Sequence, residues 1–114
     1  MERKLEVLSP SEWRVLCVVY SIGVPASVSR VAEQLPAWKY RTVQTLLSRA
    51  TSKGWLNRSG RGRASRFGAV LPRFDAVRTR LEHLLERDFL QDATLAEDLN
   101  RAVDALRVGR TDRS

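Results

Sequence analysis

The sequence has one cysteine and one histidine in 114 residues. A lone Cys17 excludes an internal disulfide and any cysteine cluster for a metal. It falls on an apolar stripe at helical spacing and is expected to be a buried thiol. His83 lies near another such stripe. It is expected at a helix surface or interface rather than as a base or ligand. The acidic residues of the last forty positions recur at helical spacing, as solvent-facing or inter-subunit pairs do, and form no paired-carboxylate site. Gly60 and Gly62 lack the strand and helix context of a phosphate-binding glycine loop. The sequence therefore points to no enzyme, and no cofactor, metal or small-molecule ligand is indicated. Long apolar runs are also missing. The longest, Val15 to Tyr20, is far short of the roughly 20 residues of a membrane span. No apolar stretch follows Met1-Glu2-Arg3-Lys4-Leu5, so no secretory signal is read and a cytoplasmic location is expected, with no membrane partner.

The most informative absence is local. Between Glu33 and Asp75 there is no acidic residue, while Lys39, Arg41, Arg49, Lys53, Arg58, Arg61, Arg63, Arg66 and Arg73 stand in that interval. Net charge is +7, and it is unevenly placed: +9 over residues 1–74 and −2 over residues 75–114. With 43% hydrophobic and 29% charged residues the chain has the composition of a folded domain. Positive charge laid over a structured pattern is the footprint of a surface that meets nucleic-acid phosphates.

The pattern itself gives an order of elements. Ser9-Pro10-Ser11-Glu12 is a capping box with proline at the first helical position. Trp13, Leu16, Cys17 and Tyr20 follow at helical spacing, and Gly23 and Pro25 end that helix. Ser27 is the N-cap expected for a short second helix carrying Val28, Val31 and Leu35. After Pro36 a third helix is predicted over 37–53, with Val43, Leu46, Leu47 and Ala50 on its apolar face and Gly54 as its stop. Trp55 to Arg58 is expected to be a strand, Ser59-Gly60-Arg61-Gly62 a turn, and Arg63 to Phe67 the returning strand. Helix, short helix, helix and hairpin is the order of a winged helix-turn-helix. Two amphipathic stripes follow. Phe74, Val77, Leu81, Leu84 and Leu85 form one, and Leu95, Leu99, Ala102, Val103 and Leu106 the other. Such helices must cover the first domain, pair with each other or pair with another subunit. The expected class is thus mainly α with a small β-hairpin. Residues 1–71 form the winged-helix domain, 72–108 a helical region and 109–114 a mobile polar tail.

With the apolar face of the third helix turned inward, Arg41, Thr45 and Ser48 point outward, flanked by Thr42, Gln44 and Arg49. These residue types suit a major groove. Arginine reaches two acceptors on guanine, glutamine pairs with adenine, and threonine offers a hydroxyl and a methyl for thymine. Base contacts favour the N-terminal half of such a helix, hence Lys39, Arg41, Thr42, Gln44 and Thr45, with Arg49 nearer phosphate. Lys53 joins Arg49 at the far end. The hairpin adds Arg58, Arg61, Arg63 and Arg66, and its glycines allow close backbone approach. Alternation places Ser65 and Phe67 on one strand face and Ala64 and Arg66 on the other, with Phe67 inward. Ser27 and Ser29 are placed to donate to a phosphate at the start of the second helix.

At these residues the chain resembles the penicillinase-repressor family of winged-helix regulators, which includes the β-lactamase and methicillin-resistance repressors and a copper-responsive branch. Leu8-Ser9-Pro10-Ser11-Glu12-Trp13 is similar to the family opening L-[ST]-x-x-E-W. The run from Trp38 to Arg49 is similar to W-x-x-[ST]-T-V-x-T-L-[LI]-x-R, and Lys53-Gly54-Trp55-Leu56 and Gly62-Arg63-Ala64 continue in register. The resemblance implies a transcriptional repressor that binds a palindromic operator as a homodimer. The third helix would enter the major groove, the wing would touch the backbone, and the C-terminal helices would dimerise through Phe74, Val77, Leu81, Leu84, Leu85, Leu95, Leu99, Val103 and Leu106. Thr42 and Thr45 inherit DNA contacts, and Arg63 falls on the wing arginine. Arg41 replaces a small hydroxyl residue, Ala50 a leucine, and Ser65 a tyrosine. The Asn-Phe bond cut in the β-lactam repressors and the cysteine motif of the copper branch are absent. Two alternatives remain: a winged-helix module that binds an acidic protein partner, as an anti-activator or assembly factor, and a nonspecific nucleic-acid-binding protein.

Overall fold

The first helix begins where two residues exchange hydrogen bonds. The Ser9 amide donates to Glu12 Oε1 at 2.8 Å, and the Glu12 amide donates to Ser9 Oγ at 3.2 Å. This reciprocal cap, with Pro10 at the first helical position, starts α1 (Pro10–Ile22). Gly23, at φ 84, ends it with an amide bond to the Val19 carbonyl. The computed structural model describes the backbone of residues 5–89 and 92–112 and the side chains of 5–89 and 92–108.

Ser27 caps α2 (Val28–Glu33) by accepting from the Arg30 amide. Trp38 donates its amide to the Leu35 carbonyl, which closes a turn before the next helix. Hence α3 (Tyr40–Ser52) starts three residues later than its apolar rhythm predicted, with Lys39 as N-cap. Gly54, at φ 95, follows its end. The strands β1 (Leu56–Ser59) and β2 (Arg66–Ala69) pair antiparallel, Leu56 opposite Ala69 and Arg58 opposite Phe67. Between them Gly62–Ala64 forms a 3₁₀ turn. The returning strand therefore begins at Arg66, not Arg63, because residues 62–64 are spent on the turn. Ala26 adds an isolated bridge to β2: it exchanges two backbone bonds with Phe67, at 2.9 and 2.8 Å.

The core lies among α1, α2, α3 and the hairpin. Val15, Leu16, Val31, Val43, Leu47, Trp55, Leu56 and Phe67 are almost wholly excluded from water. Trp55 meets Trp13 edge to face, with ring centroids 6.2 Å apart, and its indole N–H donates to the Glu6 carbonyl. Cys17 departs from expectation: it is exposed. The buried arc of α1 is Glu12, Val15, Leu16 and Val19. At about 100° per residue, Cys17 falls roughly 150° from the centre of that arc, while Trp13 and Tyr20 lie nearer to it and are half-buried.

The chain forms two compact units, Met1–Val77 and Arg78–Ser114. The first therefore takes in the opening turn of α4 (Arg73–Asp88), whose Ala76 joins the core. The Tyr20 hydroxyl donates to the Leu71 carbonyl at 2.6 Å and ties the chain leaving the hairpin to α1. Burial, with the nearby Asp75 charge, pushes the Tyr20 hydroxyl above its ordinary pKa. The second unit carries the rest of α4 and α5 (Ala93–Asp112). α5 takes in residues 109–112, the start of the segment expected to be a mobile tail. Residues 113 and 114 of that segment lie outside the described residues.

Candidate nucleic-acid interface

α3 buries Val43, Leu46, Leu47 and Ala50 and leaves Arg41, Thr42, Gln44, Thr45, Ser48 and Arg49 exposed. The inward set is held by α1 and α2, both packed against α3. The outward set follows from the helical period alone once that face is pinned. Lys39, as N-cap, is exposed at the entry to the helix.

The wing stands beside this row. A cleft of ≈ 420 Å³ is lined by Ser27, Val28, Ser29, Tyr40, Gly62, Arg63 and Ser65. A second, of ≈ 240 Å³, is lined by Tyr40, Gln44, Ser48, Arg58, Arg63 and Ser65, with Val28, Gly62 and Phe67. Together they bring Ser27, Ser29, Gln44 and Arg63 of the predicted set to the space between α3 and the wing. Arg41, Thr42, Thr45 and Arg49 line neither cleft and occupy the open face of the helix. Ser48, expected on the outward face, lines the second cleft; Tyr40, which lines both, was given no contact role from the sequence, although the spacing Tyr40, Gln44, Ser48 marks one helix face.

Several polar groups are already engaged within the chain. Ser27 Oγ accepts from the Arg30 amide at 3.1 Å, so the hydroxyl has a capping task. Arg66 Nη1 donates to the Ser65 and Arg63 carbonyls, at 3.0 and 3.3 Å, and steadies the turn. Arg61 and Arg63 are exposed in that turn. Arg58 donates from Nε and Nη2 to Ser65 Oγ, at 3.1 and 2.9 Å. Ser65 and Phe67 are buried while Ala64 and Arg66 are exposed; strand alternation accounts for Arg66 and Phe67, whereas Ala64 and Ser65 belong to the turn and its cap.

Lys53 does not belong to this surface. Its Nζ lies 2.6 Å from Glu12 Oε1 and donates also to the Val7 carbonyl at 3.0 Å. Glu12 is buried, and burial by itself would raise its carboxyl. The bonds from Lys53 and from the Ser9 amide, with the Lys53 charge, outweigh burial and hold the carboxyl below the usual carboxylate range. This carboxylate lies outside the acid-free interval in sequence and reaches into it in space.

The glycines of the turn also divide. A Cβ on Gly60, at φ +80, would lie 2.5 Å from the Ala64 carbonyl oxygen. Gly60 is thus required by the fold of the turn itself. Gly62, at φ +55, has nothing within 4 Å of such a Cβ and faces open space.

The apolar positions assigned to dimerisation are largely exposed in this single chain. Phe74 (73%), Leu106 (67%), Leu81, Val77, Leu95 and Val103 are exposed, and Leu84, Leu85 and Leu99 are half-buried. Among the described residues no group of His, Cys, Asp and Glu could hold a metal ion, and no helix is long and apolar enough to cross a membrane.

The fold is a winged helix-turn-helix followed by two helices, and the family it matches is one of DNA-binding transcriptional regulators. The penicillinase repressor family matches residues 8–106, and the chain belongs to it. Members of that family are regulators of transcription rather than enzymes. The chain is also similar to an uncharacterised 16.5 kDa protein from the ptsI 3′ region of Latilactobacillus sakei, 26% identical over 114 residues, covering 98% of this chain and 77% of the relative.

Proposed function

We propose that the protein is a sequence-specific transcriptional repressor that binds a palindromic operator in the cytoplasm as a homodimer. The observation that carries this is the exposed row of α3, where Arg41, Thr42, Gln44 and Thr45 stand within a stretch of sequence that has no acidic residue between Glu33 and Asp75. Arg41, Gln44 and the two threonines supply base-edge contacts in the major groove. Lys39, Arg49, Arg61, Arg63 and Arg66, with Ser27 and Ser29, supply phosphate contacts that set the register. The exposed apolar positions of α4 and α5, from Phe74 to Leu106, supply the dimer contact, since that much apolar surface on a small protein marks an interaction site. Two copies related by a two-fold axis place two copies of α3 about one turn of DNA, roughly 34 Å, apart.

Selection of binding sites from random duplexes tests the reading. A palindromic consensus is the expected product, retained in the presence of excess nonspecific DNA. Uniform binding with a steep salt dependence and no consensus would make the protein a nonspecific binder. Absence of any DNA binding would turn the basic face toward an acidic protein partner.

A further inference from the structure

Arg58 is the wing arginine tied to a buried side chain. Its Nε and Nη2 both donate to Ser65 Oγ, at 3.1 and 2.9 Å, and Ser65 is only 4% exposed. Two donors on one fixed acceptor set the plane of the guanidinium as well as its position. Yet Ser65 is neutral, so the charge of Arg58 is held in place and not cancelled. No acidic residue stands between Glu33 and Asp75, and Arg58 makes no ion pair among the described residues. A guanidinium has five N–H groups, so the two bonds to Ser65 leave three for another acceptor.

The surroundings say what that acceptor is. Arg58 lines the ≈ 240 Å³ cleft between α3 and the wing, facing Tyr40, Gln44 and Ser48 and flanked by Arg63. Every polar side chain of that lining is a cation or a neutral group able to donate. One wall is the Tyr40, Gln44 and Ser48 face of α3. A nucleic-acid strand passing between the helix and the wing would present an anion there, a phosphate whose oxygens accept N–H bonds. Because Ser65 has already ordered the arginine, less rotamer freedom is lost when the anion arrives.

We infer that the cleft between α3 and the wing seats one backbone phosphate of duplex DNA, with Arg58 as its ligand and Ser65 as the residue that positions Arg58. The inference rests on the DNA-binding reading above and adds to it a phosphate site and a positioning pair.

The test measures binding of the full chain by fluorescence anisotropy across a salt series. It uses a duplex of arbitrary sequence and a duplex selected from a random pool by the unaltered protein. Arg58→Gln keeps a donor toward Ser65 and removes the charge. It is expected to weaken both duplexes equally, by roughly tenfold, and to lower the salt slope by about 0.9 per bound chain. Ser65→Ala keeps the charge, so the slope should stay unchanged while affinity falls by roughly two- to fivefold through lost ordering. Combined with Arg58→Ala, Ser65→Ala should add nothing. Melting temperatures separate these effects from unfolding, and the salt slope is a readout that a purely structural contact would not move. An unchanged slope in Arg58→Gln, with the unaltered protein still binding, overturns the phosphate site and leaves the DNA-binding reading intact. Loss confined to the selected duplex would make Arg58 a base contact and also overturn it. If the unaltered protein binds neither duplex, the DNA-binding reading fails and the site fails with it.

Discussion

Glu12 is a single side chain with two tasks. It accepts from the Ser9 amide to start α1 and from Lys53 Nζ at the far end of α3. Replacing it with alanine removes both, and a loss of about 1–3 kcal/mol is expected, read as a shift in the urea midpoint. The carboxyl is held below its ordinary value in the folded protein. Its contribution is therefore fully present above the unfolded carboxylate pKa and is lost as the pH falls through the lowered folded value. Glu12→Gln should flatten that acid limb in a stability profile, and an unchanged limb would assign acid sensitivity to other groups. Arg41 belongs to the opposite kind of residue, exposed and committed to no described partner within the chain. Arg41→Ala should weaken specific binding by about 1–3 kcal/mol and relax preference at one base pair, with stability unchanged. Equal weakening on every sequence would make it a phosphate contact. The tasks of Glu12 and Lys53 were only half visible beforehand. The Ser9–Glu12 cap is local and could be read from four consecutive residues. The Lys53 contact joins residues 41 apart, and no sequence spacing announces it.

At the scale of elements, the helices were foreseen better than their ends. α3 keeps its predicted apolar face because four side chains at helical period define it, but the Leu35–Trp38 turn delays its start. The wing shows the same division. Its two glycines announce a turn, and the turn proves long enough to shift the returning strand to Arg66. The difference between the glycines is open to measurement. Gly60→Ala forces a Cβ against the Ala64 carbonyl at φ +80 and should cost about 1–3 kcal/mol by thermal melting. Gly62→Ala meets no atom and should cost about 1 kcal/mol or less, through its φ of +55 alone. Equal costs would mean that the turn relaxes around Gly60. Cys17 carries the same lesson for α1. The stripe Trp13, Leu16, Cys17 and Tyr20 has the right period but the wrong centre, since the core selects Glu12, Val15, Leu16 and Val19.

Over the whole molecule, the basic excess and the exposed apolar rows of the last two helices occupy successive stretches of the chain. The basic excess lies in residues 1–74, and the exposed large apolar side chains of the later helices run from Phe74 to Val108. If α4 and α5 join two copies, light scattering at micromolar concentration should give twice the chain mass. Leu106→Glu should lower that mass and weaken operator binding while leaving each chain's melting largely intact, because Leu106 is 67% exposed. A monomeric mass for the unaltered protein would contradict the dimer. What is local or periodic was written in the residues themselves: the capping box, the apolar rows, the glycine stops and the acid-free interval. Each depends on neighbours within a turn or two, so the order of helix, helix, helix and hairpin followed from them. Packing settled the remainder, because it brings distant residues to one place. It took Lys53 out of the basic surface, turned Cys17 to solvent, bound Ala26 to Phe67 and set Arg58 against Ser65, at the edge of a cleft between α3 and the wing.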